Sequence, residues 1–282
     1  MLANQYKSFC TCEAFLNNPL KKITLMSSQV AIQIPPFFEQ LNQFILTNNH
    51  NTSQLTQFKN EAKKYAQSDN VDGYLALGTL ACLEGNIDAL QTHYQRAIAE
   101  SAAQHAYILR LYTQCLTPFG FFSQAADLMY QAYHFSPVLN NLDDTIHFYG
   151  LAGHFHQVVE LLKTWNQVSP DKAHRFSQLA EEVMTFMDER KVSDADLEGL
   201  IEIALSILRQ HKLSISVPQI NLSLLEDEES QWFHYGIPLR ESVEVAKIVE
   251  LDFELANRSV DECPPQIIQG GFVPMFEVVG EE

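Results

Sequence analysis

Three glycine-centred segments recur through the middle of the chain: Gly85-Asn86-Ile87, Gly120-Phe121-Phe122 and Gly153-His154-Phe155. Their glycines stand 35 and 33 residues apart, close to the length of one helical hairpin. Seventeen residues after each of the last two comes a Ser-Pro pair, Ser136-Pro137 and Ser169-Pro170. Glycine suits the turn between antiparallel helices because it takes a left-handed conformation without a side-chain penalty, and proline stops the second helix. A hairpin of this length cannot bury its own apolar face, so neighbouring hairpins must stack.

The apolar spacing follows the same plan. Phe37, Phe38, Leu41, Phe44 and Ile45 mark one face of a short helix, and Leu55, Phe58, Ala62 and Tyr65 mark the next. These two helices read as a divergent hairpin leading the array. A helix carrying Tyr74, Leu77, Gly78 and Ala81 then precedes Gly85, and its partner carries Leu90, Tyr94, Ala97 and Ile98. The second pair spans roughly 103–116 and the segment with Ala125, Met129, Ala132 and Tyr133; the third spans 142–151 and 155–168. Two further helices follow, at 172–188 and after a cap at Ser193 or Asp194.

After the helices the period changes from helical to alternating. Leu213, Ile215 and Val217, then Ile220, Leu222 and Leu224, alternate with polar residues, and Pro218 implies an edge or a bulge. An acidic turn at 226–230, a strand at 232–239, a helix at 242–257 and a strand at 272–279 complete a β-β-α-β segment, expected to form an antiparallel sheet.

The middle of the chain, about residues 70–170, resembles the tetratricopeptide repeat family. In that family's frame the small residue opening each second helix falls on Leu90, Ala125 and Val158, and the bulky position four later on Tyr94, Met129 and Leu162. The next small position falls on Ala97, Ala132 and Trp165, and the closing proline on Ala102, Pro137 and Pro170. The middle repeat matches best; the first keeps Leu77-Gly78 but lacks the proline, and the third has Val158 and Trp165 where small residues are expected. The expected fold is therefore mainly α, an α-α superhelix of tetratricopeptide-like hairpins over residues 29–211, followed by a small acidic α+β module at 212–282. Residues 1–28 read as an extension, with Met26 resembling a second start.

Charge is unevenly distributed. Residues 181–282 hold 22 Asp+Glu against 7 Lys+Arg, or −15, whereas residues 1–180 hold 13 against 11, or −2. Such a surface repels phosphate backbones and anionic lipid, which disfavours direct binding to nucleic acid or membranes. A solvated surface is the plainer explanation of the acidity; a docking face for a basic partner is the sharper alternative. No run of about eighteen apolar residues suggests a membrane span. Five scattered cysteines (Cys10, Cys12, Cys82, Cys115 and Cys263) without a secretory signal fit free thiols in a reducing cytoplasm.

Chemistry-bearing motifs are sparse. The sequence has no zinc-protease helix, phosphate loop, dinucleotide fingerprint or nucleophile elbow. His147, His154 and His156 lie close in sequence, but no carboxylate or thiolate is spaced to complete a metal site, and His156 with Glu160 reads as an i, i+4 pair. No cofactor or metal is expected.

The tetratricopeptide resemblance implies a concave groove lined by the first helices of the hairpins. Carried onto this chain, its residues are Asp72, Leu75, Thr79 and Cys82, then Tyr107, Arg110 and Gln114, then Asn140, Asp143 and His147. This mixture suits holding a short peptide, with Arg110 either fixing a carboxylate or pairing internally with Asp143. The function implied is a non-catalytic, cytoplasmic scaffold or adaptor binding another protein or peptide, a basic one included, through the groove, the acidic module or both. The alternatives are a structural protein that dimerises through its C-terminal sheet, and an enzyme with a site between array and module.

Overall fold

All three recurring glycines adopt left-handed backbone, with φ of 65° at Gly85, 71° at Gly120 and 85° at Gly153. Each therefore closes a helical turn as the spacing predicts. The computed structural model describes residues 40, 52–67, 71–101, 105–227, 230–239 and 243–278. Apart from residue 40, the leading helix expected at 37–45 lies outside the described residues, as do the cysteines at 10 and 12.

Eleven α-helices and one three-stranded sheet make up the described chain, helices packing against their sequence neighbours. Two compact units divide it, one running to Cys115 and the other starting at Leu116.

The first unit contains α1 (Thr52–Ala66), α2 (Val71–Leu83), α3 (Ile87–Glu100) and α4 (His105–Leu116, whose last residue opens the second unit). Leu55, Phe58 and Tyr65 of α1 pack on Ala76, Leu77 and Leu80 of α2, as the apolar stripe of α1 predicts. Gly78 has a packing role: a Cβ there would lie 2.7 Å from the Tyr94 ring, so only glycine lets α3 come this close. Tyr94 in turn stacks on Tyr112 of α4, ring centroids 4.8 Å apart.

The second unit begins with a 3-10 turn (Thr117–Phe119) and continues as α5 (Phe122–Phe135), α6 (Leu139–Leu151), α7 (Phe155–Val168), α8 (Ser177–Arg190) and α9 (Asp194–Gln210). The nine repeat-pattern positions on the second helices of all three hairpins (Leu90, Tyr94, Ala97, Ala125, Met129, Ala132, Val158, Leu162 and Trp165) are all buried. Ser193 caps α9 through a reciprocal capping box with Asp196.

Within this unit, α9 lies across the turns at Gly120 and Gly153. A Cβ on Gly120 would meet Leu205 at 2.8 Å, and one on Gly153 would meet Ile201 at 2.8 Å. Residues 201 and 205 are one helical turn apart, so a single face of α9 covers both glycine turns. Arg209 reinforces this contact, donating to the Gly120 carbonyl at 3.3 Å and lying 4.6 Å from the Phe121 ring centre.

The remaining elements are β1 (Asn221–Glu226), β2 (Gln231–Leu239), α10 (Val245–Glu262), α11 (Pro265–Gln269) and β3 (Phe272–Val278). Strand order is β1-β2-β3. The β1-β2 hairpin is antiparallel, but β3 runs parallel to β2, correcting the expectation of an antiparallel sheet. The reason is the connection: α10 and α11 form the long crossover that a parallel neighbour requires. Ile215 makes an isolated bridge to Leu239, and Val217–Gln219 turn as a 3-10 helix before β1. The inner face of the sheet shares a core with the helices. Phe233 meets Phe155 at 5.5 Å, Phe272 meets Phe186 at 5.1 Å, and the buried Tyr235 hydroxyl donates to the Leu151 carbonyl at 2.7 Å.

Candidate functional site

The ten residues expected to line a groove divide between the two units. In the first unit, Leu75 is buried in the core. Thr79 and Cys82 belong to a chain of polar contacts between helices. The Thr79 and Tyr94 hydroxyls are 3.3 Å apart, Tyr94 Oη lies 3.4 Å from Cys115 Sγ, and the Cys82 thiol donates to the Cys115 carbonyl at 3.4 Å. A side-chain hydrogen bond with Cys82 is the largest influence on the Cys115 thiol and lowers its pKa. Interior contacts thus occupy three of the four residues expected on α2.

The other residues of this set form an outward face. Tyr107, Arg110 and Gln114 follow one another at i, i+3 and i+7 on α4, which places them on one side of the helix. Tyr107 is 41% exposed. Partial burial, and then the charge of Asp72, raise its phenol pKa, so the two side chains are near neighbours. Burial likewise raises the Asp72 carboxyl. An aromatic ring, a guanidinium, an amide and a partly desolvated carboxylate are thereby gathered around one face of α4.

In the second unit, Asn140 is exposed at the start of α6, Asp143 is half-buried and His147 is buried. Asp143 accepts from His174 Nε2 at 2.7 Å and lies 3.9 Å from Arg175. His174 is oriented by the backbone: the Phe176 N–H donates to its Nδ1 at 3.1 Å, leaving Nε2 to carry the proton given to Asp143. Trp165 packs edge-on to the same imidazole at 4.7 Å and donates from Nε1 to the Lys172 carbonyl. Desolvation opposes ionisation of Asp143, but the His174 hydrogen bond and the Arg175 charge outweigh it and lower its pKa. Asp143 therefore ties α6 to the segment before α8. No feature of the sequence marks His174 as its partner, since 31 residues separate them.

The three clustered histidines have separate structural roles. Burial, with the nearby Arg175 charge, holds His147 neutral with its pKa lowered to about 3. His154 bonds Glu198 at 3.0 Å. His156 does not pair with Glu160, which takes Lys163 at 2.5 Å instead; its ring lies between Asp194 at 2.7 Å and Asp188 at 3.0 Å. Tertiary carboxylates on both ring nitrogens replace the local i, i+4 partner. Among the described residues, no group of three or more His, Cys, Asp or Glu side chains is placed to hold a metal ion. Among them, too, no helix is long and apolar enough to cross a membrane.

Comparison with known proteins found no matching family model, no matching curated protein and no matching solved structure.

Proposed function

We propose that this chain is a non-catalytic adaptor of the tetratricopeptide-like kind, working in the cytoplasm and holding another protein through the outward face of α4. The observation that carries this reading is the exposed Tyr107 ring beside Asp72, on the same side of α4 as Arg110 and Gln114. Tyrosine and arginine dominate protein contact energies because they combine large area with directional hydrogen bonding. Within the second unit, the polar contacts also favour binding over chemistry. Asp143, His156 and His174 are each engaged by hydrogen bonds between secondary-structure elements, which is what a rigid frame requires.

Affinity capture of the full chain, in parallel with a Tyr107→Ala/Arg110→Ala variant, tests the proposal. A protein retained by the wild type and lost by a variant of unchanged circular dichroism and melting supports it. Identical capture profiles from the two chains would sink the α4 assignment.

A further inference from the structure

The helix α10 carries two apolar faces, and folding uses only one. Ile248, Leu251 and Leu255 are buried. Three polar ties fix that side of the helix: Arg258 donates to Ser206 of α9 at 2.9 Å, His211 bonds Glu254 at 2.9 Å, and Asp252 accepts the Phe276 N–H of β3 at 3.1 Å. Val245, Val249, Phe253, Ala256 and Val260 then follow at spacings of four, four, three and four, which keeps them in one stripe along the helix. This stripe is in solvent: Val245 is 69% exposed, Phe253 68% and Val260 67%. A helix anchored on one side gains nothing in the fold from a second apolar seam, and a contiguous exposed seam marks an interaction surface.

Charge indicates what covers it. The helix holds five acidic residues (Glu250, Asp252, Glu254, Asp261 and Glu262) against Lys247 and Arg258. Both cations are already paired within the helix, Lys247 with Glu250 at 2.9 Å and Arg258 with Glu262 at 2.7 Å. Helical geometry sets Glu250 and Asp261 along the flank of the stripe that faces away from the buried side. A second copy would bring like charge against like, and an anionic bilayer would be repelled. A helix with an apolar stripe and basic flanks satisfies both the seam and the carboxylates.

We infer that the Val245–Val260 stripe of α10 is a docking site for a basic amphipathic helix of a partner protein. The site does not depend on the α4 face. The probe is a synthetic leucine/lysine peptide matching the 18 residues of α10, with its leucines in one helical stripe, titrated into the full chain by calorimetry. The wild type should bind it, and Phe253→Asp should weaken binding about tenfold or more, as for a central aromatic anchor. Phe253→Asp adds negative charge, so purely electrostatic attraction of a cationic peptide would instead be strengthened. Val260→Ser, at the far end of the stripe and without a charge change, should also weaken binding, which keeps the test valid if the first variant unfolds. Equal or tighter binding by Phe253→Asp, or equal binding of a leucine/glutamate peptide, would overturn the inference. So would a wild-type dimer in sedimentation that becomes monomeric in Val260→Ser, which assigns the stripe to a second copy. Retention on phosphatidylcholine vesicles that is lost in the same variant would assign it to lipid and likewise overturn the inference.

Discussion

Asp194, the first residue of α9, closes the N-terminus of α7 by accepting from His156 twice, at 3.1 Å from its backbone N–H and at 2.7 Å from its ring Nδ1. Its second oxygen takes the Gln157 N–H at 3.2 Å. The residue preceding α7, His154, makes no side-chain cap of its own. A carboxylate contributed from 38 residues away thus does what a local serine or aspartate ordinarily does.

Asp194→Ala should therefore destabilise the chain by about 1–2 kcal/mol, the usual cost of losing a helix cap. Urea unfolding checks this. Asp194→Asn keeps one oxygen acceptor and should fall between wild type and alanine. An alanine variant as stable as the wild type would show that water replaces the cap without loss.

Two histidines should give opposite pH dependences. Burial disfavours the charged His156 ring, but its hydrogen bonds to Asp188 and Asp194 overcome this and raise its pKa above 6.5. Its stabilising contribution is complete below that value and is lost as pH rises through the raised pKa. His147 behaves in reverse: the unfolded chain takes its proton near 6.5, and the folded one resists to about 3. Stability from this group falls as pH drops across that interval, by up to about 1.4 kcal/mol per pH unit. Comparing the wild type with His156→Gln and His147→Leu across pH 3–8 separates them. The difference for His156 should shrink toward the alkaline end, and His147→Leu should flatten the acid limb.

The three turn glycines should not respond equally to alanine. At Gly85 a Cβ meets nothing within 4 Å, so only the positive φ is strained, costing about 1 kcal/mol. At Gly120 the added Cβ also strikes Leu205 and Ile215, and at Gly153 it strikes Ile201 and Leu197. Those two variants should lose about 2–4 kcal/mol, because overpacking adds to backbone strain. Equal melting of all three variants would count against α9 lying on the later turns.

Two central positions on the outer edge of β3 offer no free N–H. Phe233 N–H donates to Gly271 in the parallel ladder, so Phe276 N–H points the other way, and Asp252 takes it at 3.1 Å. Pro274, on the same side, has no N–H to offer. Both features disfavour strand pairing at those two positions. Pro274→Val/Asp252→Ala should restore two donors and raise self-association, measured by sedimentation or light scattering. A variant as monodisperse as the wild type would show that other groups protect the edge.

Much of this architecture is legible locally. The glycine period gives the turns, the apolar stripes of α1 and α9 give their buried faces, and Ser193-x-x-Asp196 gives a helix start. Each depends on residues a few positions apart, whose geometry the backbone fixes. For the residues of the expected groove, local helical spacing says only that Tyr107, Arg110 and Gln114 share one side of α4. It could not tell that Leu75 and His147 face the core, because which side of a helix is covered depends on its neighbours. The stripe of α10 was hidden for a related reason: Val249 and Ile248 read alike in sequence, and only packing against α9 and β3 buries one and leaves the other in solvent.

The sequence by itself determined where the glycine turns fall and where most of the long helices run, since left-handed glycines, caps and apolar periodicity act within a single turn or hairpin. Tertiary structure alone decided that α9 lies over the glycine turns at 120 and 153 and that β3 runs parallel to β2. It also decided that Asp194 caps a helix begun 39 residues before it. Each of these joins groups far apart in the chain through shape and hydrogen bonding. A periodicity of 3.6 or 2 residues carries no record of such partners.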